Sequence, residues 1–273
     1  MLLSSHIEMM SCLSFYCHTS NLPVQNQWEK LPSNHPGLYF ERAGLDSHEV
    51  QWTISSNRAV FPPVKRWLFC SFYHTIKENI LNLTYPPGMV LTEAMLTKEL
   101  EMSRSPVRTA IQMLQVEGLI VSDYYKSMTV KEITDKDINE IYQLRELLEG
   151  AAFRQIFTSR RYEEYSYRIE EKVVRMCAAA GDLYEWEIAD TAMHMEIISI
   201  FDNDRINRIY ENNLSELIRI GQYSIRNGMR IPRTNDNLKK MISYMRKGNY
   251  EKAFEILKND HFGTGRNTAL KMH

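Results

Sequence analysis

The most restrictive feature of the sequence is a pair of short amphipathic segments with only a few residues between them. Thr92 followed by Glu93 is typical of a helix start, because a threonine N-cap accepts a backbone hydrogen bond and the helix dipole favours an acidic first turn. Ser103 begins a second helical pattern, which Gly118 ends as a C-cap residue. The sequence therefore predicts two helices joined by a tight corner.

A third helix and a hairpin complete this region. The segment after Trp67 has apolar residues at helical spacing, and the turn Pro86-Pro87-Gly88 separates it from the next helix. Beyond Gly118, the stretch LIVSDYYKSMTVKEI predicts two short strands around a polar turn. Three helices followed by a two-stranded hairpin, within residues 66–134, are typical of a winged helix-turn-helix.

The helix that begins at Ser103 has two different sides. Val107, Ile111 and Leu114 recur at helical spacing and form a side suited to burial. Arg104 and Arg108 are four residues apart and share the opposite side. Arginine can read guanine through two parallel hydrogen bonds and can also contact phosphate, so this helix is the candidate for the DNA major groove.

Three hydroxyl side chains accompany these arginines, namely Ser103, Ser105 and Thr109. They lie near a helix N-terminus, which itself attracts phosphate. The alternative is an ordinary amphipathic helix with two solvated arginines. The preceding helix, the tight corner and the following hairpin favour DNA binding over that alternative.

The stretch YPPGMVLTEAMLTKELEMSRSPVRTAIQMLQVEGLI resembles the DNA-binding domain of the GntR family of bacterial transcription regulators. The shared motifs are the Pro-Gly turn, the Leu-Thr-Glu opening of the second helix, the Ser-Arg-x-Pro-Val-Arg start of the third and the closing Glu-Gly-Leu. The resemblance implies DNA contacts from Arg104 and Arg108, supported by the three hydroxyl residues. Family members usually insert a wing-tip glycine into the minor groove. This sequence has Tyr125-Lys126-Ser127 there, and Lys126 would contact phosphate.

The remainder of the chain is predicted to be almost entirely helical. One face of the first helix carries apolar residues at Ile138, Ile141, Leu144, Leu148 and Ala152. Further helices are predicted over 161–179, 182–201, 204–226, 234–247 and 249–262, with a tail at 263–273. The predicted fold class is mainly α, with an N-terminal winged helix-turn-helix followed by an all-α helical bundle over 135–262.

Residues 1–65 have a different character, with scattered aromatic residues among Asn, Ser, His and Pro and no sustained helical period. They are interpreted as an irregular or disordered N-terminal extension, or as an over-long reading frame, and no function is assigned to them.

Charge and composition narrow the classes of partner. The formal net charge of the 273 residues is -1, and residues 66–134 hold seven basic and seven acidic residues. DNA binding therefore has to come from local placement of charge and from a dimer on a two-fold site. The four cysteines form no CxxC pair, and no apolar run reaches the roughly 18 residues of a membrane span. We expect a cytoplasmic protein without membrane contacts.

The helical part contains residue types that bind metals. Asp190 and His194 are four residues apart on one predicted helix, and His261 lies in the last predicted helix. A carboxylate and two imidazoles that converge inside a helical bundle could hold a divalent metal. The alternative is that Asp190 simply hydrogen-bonds His194 and that both stabilise the fold.

The segments EIYQLRELLEG, DTAMHMEII, FDNDRI and KGNYEKAFEILKNDH resemble the helical effector-binding domain of the FadR-like branch, the FCD type. The resemblance implies a Zn, Ni or Mn ion on Asp190, His194 and His261. Many family members have a fourth ligand, a histidine, at the start of the penultimate helix. This sequence has Asn237 or Leu238 there, so Asn237 or water would replace it.

The same resemblance implies an effector site. Arg145 lies where the family often has a cavity-facing arginine, which would bind the carboxylate of a small acid. The alternative is an exposed salt bridge between Arg145 and Glu149, four residues on.

The whole pattern predicts a transcription regulator rather than an enzyme. The expected partners are operator DNA, a small-molecule effector and a second copy of the chain. One competing interpretation is a metal-dependent helical hydrolase built on Asp190, His194 and His261, although no nucleophile elbow or phosphate loop is evident. Another is a scaffold whose winged helix binds protein. Loss of Arg104 and Arg108 would leave partner binding intact in that case.

Overall fold

The computed structural model describes residues 39–42, 52–55, 63–122, 128–179 and 181–270. Within the predicted N-terminal extension, strands β1 (Tyr39–Arg42) and β2 (Trp52–Ser55) pair antiparallel, with Tyr39 opposite Ser55. The sequence did not predict these strands, because four residues are too few to establish a period. The following helix, α1 (Pro63–Leu81), also begins inside that extension, with proline at a first helical position that needs no N–H donor.

The next elements form the winged helix. They are β3 (Val90–Leu91), α2 (Glu93–Glu99), α3 (Arg104–Val116), β4 (Ile120–Ser122) and β5 (Met128–Val130). The three strands form an antiparallel sheet in the order β3-β5-β4. The predicted hairpin is therefore present as β4 and β5, and the two-residue strand β3 extends it. Residues 123–127, the predicted wing tip with Lys126, lie outside the described residues.

Local signals in the sequence set the ends of these helices as predicted. Thr92 Oγ1 accepts a hydrogen bond from the Met95 N–H at 3.1 Å, which confirms the N-cap of α2. Gly118 has a φ of 72° just beyond the last turn of α3, a backbone conformation that glycine adopts without strain. Val107, Ile111 and Leu114 of α3 are buried against α1, so the predicted apolar side of α3 is confirmed.

The helical part begins at α4 (Asp135–Thr158), where Thr134 and Asp137 form a capping box. It continues with α5 (Tyr162–Ala178), α6 (Leu183–Ile198), a 3-10 turn (Ser199–Phe201), α7 (Asp204–Glu211), α8 (Leu214–Arg226), α9 (Ile231–Arg246) and α10 (Tyr250–Glu255). A π-helical segment (Ile256–Phe262) and α11 (Gly263–Ala269) complete it. These helices share one large apolar core.

Three predicted boundaries in this part were wrong. The predicted helix over 204–226 is two helices, α7 and α8, separated at Asn212 and Asn213. Helix α9 begins three residues before the predicted start, since Pro232 fits its first turn. The predicted tail is helical up to Ala269, although two glycines lower its helix propensity.

Packing explains why α11 forms in spite of its glycines. Gly265 lies against Tyr142 of α4, and a Cβ atom at Gly265 would collide with the Tyr142 hydroxyl. Thr268 and Ala269 are buried in the same helix. Tertiary contacts of this kind outweigh local propensity, and only the folded structure reveals them.

Helix α8 joins the winged helix to the helical part. Ile218 of α8 packs in the core of the winged helix, beside residues of α1. Arg226 donates to the carbonyl of Asn82 at 2.6 Å, at the end of α1. Lys131, just after β5, forms ion pairs with Glu216 at 2.7 Å and with Asp137 at 3.2 Å. The two parts are thus in direct contact along α8.

Among the described residues, no helix combines the length and the apolar character needed to cross a membrane.

Candidate functional site

Three side chains with metal-binding groups meet in the core of the helical part. Asp190 and His194 come from α6 and His261 from the π-helical segment, and all three are buried. Nε2 of His194 lies 2.8 Å from Nε2 of His261 and 3.3 Å from Oδ2 of Asp190, while Nε2 of His261 lies 3.2 Å from Oδ1 of Asp190. The structure therefore brings together the three residues that the sequence singled out.

The helices around this cluster explain its burial. Helix α6 is covered by α4, α5 and α8, and it is apolar on most sides, as a central helix must be. The spacing of Asp190 and His194 places both on one face of α6. His261 belongs to a π-helical segment, a rare conformation that is often found at functional sites.

Arg145 and Glu149 of α4 form the other wall of the cluster. Arg145 Nε donates to Glu149 Oε1 at 3.0 Å, and Arg145 Nη2 lies against Nε2 of His194. The expected alternative of an exposed salt bridge was wrong about exposure, since the side chains of Arg145 and Glu149 are 10% and 0% exposed. The ion pair itself is present, and it faces the metal-binding side chains.

Glu149 also connects to residues that sequence reasoning did not include in the site. Its Oε2 lies 2.5 Å from Nδ1 of His194, and its Oε1 accepts a hydrogen bond from Tyr210 of α7 at 2.9 Å. Carboxylates that hold the second nitrogen of a histidine orient metal ligands in many proteins. Glu149 lies four residues after Arg145, and this spacing could have indicated that it belongs to the site. Nothing in the sequence indicated Tyr210.

The surroundings shift the pKa values of the cluster side chains in different directions. Burial alone would raise the pKa of both carboxyl groups, but the neighbouring basic side chains overcome this effect. His194 and Arg145 lower the pKa of Glu149, and His261 and His194 lower that of Asp190. Burial and Arg145 act to lower the pKa of His194, yet Glu149 and Asp190 raise it above its usual value. Burial lowers the pKa of His261. These surroundings therefore favour the charged form of His194 more than that of His261.

The donor set fits a divalent metal ion. Ligands bound at about 2.0–2.2 Å to one ion lie roughly 3 Å apart, which matches the three separations in the cluster. Oδ1 of Asp190 has no hydrogen-bond partner in the part of the chain that the structure describes, so one buried carboxylate oxygen is still available. A bound cation would repel Arg145 from its position against His194 and would compete with a proton for Nε2 of that imidazole.

The predicted replacement ligand, Asn237, is half-buried on α9. Among the histidine, cysteine and acidic side chains of the described ranges, the group of potential ligands consists of Asp190, His194 and His261. Leu238 is part of the apolar core. The structure therefore supports three protein ligands and leaves further positions on the ion for water or an effector.

Glu187 is a second buried acid that the sequence did not reveal. It lies one turn before Asp190 on α6, against Gly221 of α8, where a Cβ atom would collide with its carboxyl group. Thr191 Oγ1 is 3.5 Å from Glu187 Oε1. Burial and the nearby negative charge of Asp190 raise the pKa of Glu187 well above its usual value, which favours the neutral carboxyl, a hydrogen-bond donor.

The candidate DNA-contacting residues lie on the exposed side of α3. This side carries all five predicted contacts of this helix, namely Ser103, Arg104, Ser105, Arg108 and Thr109. The Ser103 hydroxyl makes no cap hydrogen bond, although its backbone occupies the N-cap position. Arg108 donates to both carboxylate oxygens of Glu93 in α2, at 2.8 and 3.0 Å. Glu93 was known from the sequence only as a first-turn acid.

Comparison with known proteins agrees with both parts of this arrangement. The family model for bacterial regulatory proteins of the gntR family matches residues 71–130, and that for the FCD domain matches residues 140–261. An HTH-type transcriptional regulator from the ttuE-ttuC' intergenic region of Agrobacterium vitis is 30% identical over 131 residues, which cover 46% of this chain and 77% of that protein. The chain belongs to the GntR family. It is a transcriptional regulator with an FCD domain.

Two further transcriptional regulators are similar over more than half of the chain. The HTH-type regulator YdhC of Bacillus subtilis is 28% identical over 160 residues, covering 57% of this chain and 71% of YdhC. A GntR-type transcriptional regulator of known structure from Rhodococcus sp. RHA1 covers 75% of this chain and 98% of its own, with a TM-score of 0.60 and 20% identity. The predicted family and fold class are confirmed.

Proposed function

We propose that this GntR-family regulator binds two-fold operator DNA as a homodimer and that a small carboxylate, held with a divalent metal in the helical part, controls the binding. In this proposal, residues 66–134 contact DNA and the helical part from residue 135 senses the effector and forms the dimer. The buried cluster of Arg145, Asp190, His194 and His261 is the observation that carries the proposal.

The charges around the cluster favour an anionic effector. A divalent ion on Asp190, His194 and His261 would bind both imidazoles in their neutral form. The two negative charges of Glu149 and Asp190 then cancel the charge of Arg145 and one of the two charges of the ion. One positive charge remains in the buried site. A carboxylate neutralises that charge and can accept two hydrogen bonds from a guanidinium, as Arg145 can supply.

Glu187 adds a recognition element of a different kind. A neutral carboxyl donates a hydrogen bond, so Glu187 suits an effector with a hydroxyl or carbonyl oxygen beyond its carboxylate. We assign no catalytic step to the cluster, because binding and release of an acid are sufficient for a regulator.

Helix α8 provides the path from the effector to the DNA-contacting part. On one side, Gly221 lies against Glu187 and Ser224 Oγ donates to the Gly265 carbonyl of α11 at 2.8 Å. On the other side, Ile218 and Arg226 contact the winged helix. An effector that shifts α6 relative to α8 would change the populations of two winged-helix orientations, and with them the spacing of the two recognition helices.

The test begins with selection of preferred duplexes from a random-sequence pool. The affinity for a selected duplex and for a scrambled duplex is then measured with Zn, Ni or Mn ions and a panel of small mono-, di- and tricarboxylates. We expect wild type to prefer its selected duplex and a metal plus one carboxylate class to change the affinity. Arg145→Ala should keep DNA binding and lose the response, and Arg154→Ala, an exposed change on the same helix, should keep both. A response that survives in Arg145→Ala contradicts the effector assignment.

A further inference from the structure

The two exposed arginines of α3 have different surroundings. Arg108 is fixed by the ion pair with Glu93, with its Nε 2.8 Å from Oε1 and its Nη2 3.0 Å from Oε2. No hydrogen bond or ion pair is found for the Arg104 side chain within the described residues. Arg108 therefore has an ion-pair partner that orients its guanidinium, and Arg104 has none among the described residues.

The geometry of the pair decides what Arg108 can still contact. Glu93 uses the side edge of the guanidinium, formed by Nε and Nη2. The end edge, formed by Nη1 and Nη2, keeps two parallel N–H groups that point away from Glu93. Two parallel donors are what O6 and N7 of guanine accept in the major groove. The ion pair thus leaves free the edge that reads a base.

Glu93 is itself well placed to hold another side chain. It is the first residue of α2, directly after the N-cap Thr92, and its side chain is 30% exposed. The hydrogen bond from Arg108 lowers the pKa of Glu93, and the helix N-terminus favours its charge, so the carboxylate stays ionised at neutral pH. It spans the corner between α2 and α3 and fixes one helix against the other.

We propose that Glu93 is a positioning residue that holds Arg108 ready to read a guanine, whereas Arg104 contacts phosphate. The proposal rests on DNA binding by α3, as proposed above. Holding the guanidinium before binding removes part of the entropy cost of ordering it at the interface. An arginine without such a partner adapts to the DNA backbone, which has the same charge in every sequence.

The proposal makes a prediction that a purely structural role for Glu93 does not make. Glu93 carries negative charge on the face that would approach DNA. Its removal should therefore raise the affinity for bulk DNA, because phosphate repulsion falls, and should lower the discrimination at one base pair. A structural role would lower the affinity for every sequence together with the melting temperature.

The experiment compares five variants on the duplex selected by wild type and on duplexes with each base pair replaced in turn. Arg108→Ala should lose roughly 5- to 150-fold at one guanine position, the range for a base-reading arginine. Glu93→Gln should lose at least about threefold at that same position, within the range seen for contacting side chains, and bind scrambled DNA more tightly. Arg104→Ala should weaken binding to all duplexes alike. The double variant Glu93→Gln with Arg108→Ala should be no worse at that position than Arg108→Ala alone.

Glu101→Gln is the matched control, since it removes an exposed negative charge from the same corner, where Glu101 has no ion pair among the described residues. It should raise bulk affinity and leave base discrimination unchanged. If Glu93→Gln still discriminates at that base pair as well as wild type does, the proposed role of Glu93 is wrong. The role is also wrong if Glu93→Gln loses affinity equally for all duplexes and has a lower melting temperature. If wild type prefers no sequence at all, the proposed DNA-binding function fails, and the role of Glu93 fails with it.

Discussion

Two of the Arg–Glu ion pairs among the described residues make almost the same contact in opposite surroundings. Arg108 Nε lies 2.8 Å from Glu93 Oε1 on the surface, where the two side chains are 63% and 30% exposed. Arg145 Nε lies 3.0 Å from Glu149 Oε1 in the core, where the values are 10% and 0%. Water and salt screen the first pair, so its main effect is to orient a side chain.

The buried pair of Arg145 and Glu149 affects folding stability differently. Taking two charges out of water costs more than their attraction usually returns, and apolar residues of similar volume often stabilise a core equally well. Arg145 and Glu149 are therefore poor choices if stability were their only role. Their contacts with His194 and Tyr210 fit a binding site whose charges have to be present before the ligand arrives.

Removing the carboxylate of each pair in turn should give the largest difference in folding stability between the two pairs. Glu149→Ala leaves Arg145 buried without its carboxylate, and we expect the free energy of unfolding to fall by about 3–5 kcal/mol. Glu93→Ala should leave the denaturation midpoint close to that of wild type, because water replaces the lost partner. Urea denaturation followed by circular dichroism measures both. Equal midpoints for the two variants would contradict the contrast between the pairs.

Metal affinity should depend on the buried region alone. Asp190→Asn removes one ligand charge from the cluster, and the affinity for Zn, Ni or Mn should fall by more than about tenfold, by analogy with the losses seen at supporting residues. Asp236→Asn, an exposed change on α9, serves as the control. Isothermal titration of protein stripped with a chelator gives both values, and an unchanged affinity in Asp190→Asn would remove that residue from the ligand set.

The salt dependence of DNA binding tests whether the exposed Arg104 contacts phosphate. Arg104→Ala should lower the slope of log affinity against log salt by about one, as expected for one lost phosphate contact. Arg145→Ala should leave this slope unchanged, since a buried side chain has no access to phosphate. Fluorescence anisotropy across a salt series provides the slopes. A base-specific loss in Arg104→Ala would assign it to a base rather than to the backbone.

A smaller effect is expected where the two parts meet. Burial opposes ionisation of Asp137, but its hydrogen bonds with Thr134 and Lys131 lower its pKa below the ordinary 3.8. Its contribution to stability is therefore complete above that ordinary pKa and is lost as the pH falls through the lower, folded-state value. Asp137→Asn should cost about 0.3–1.5 kcal/mol at neutral pH and flatten the stability profile below pH 4. Denaturation curves from pH 2 to 7 measure the stability profile of Asp137→Asn and of wild type. Identical profiles would show that Asp137 does not contribute to the pH dependence of stability.

The sequence was most informative where neighbouring residues determine the structure. The N-cap at Thr92, the glycine after α3 and the apolar side of α3 depend on contacts within one or two turns. Asp190 and His194 could be paired in advance because a spacing of four places them on one helix face. The motifs around α3 and α6 were enough to identify the family and the order of its two parts.

Contacts between distant segments were out of reach of such reasoning. Tyr210 reaches Glu149 across 61 residues, and Glu187 is buried only because Gly221 of another helix makes room for it. The π-helical segment that carries His261 and the glycine-containing helix α11 both contradict local propensity, and packing against α4, α8 and α9 offsets that cost.

By itself, the sequence indicated the family through the resemblance of its motifs. It determined the mainly α fold, the two-sided helix α3 and three side chains of the buried cluster through local spacing. Only the tertiary structure decided that the pair of Arg145 and Glu149 is buried beside two histidines while the pair of Arg108 and Glu93 lies on the surface. The reason is that burial and charge environment are properties of all the elements packed around a residue, and residues far apart in the chain supply them.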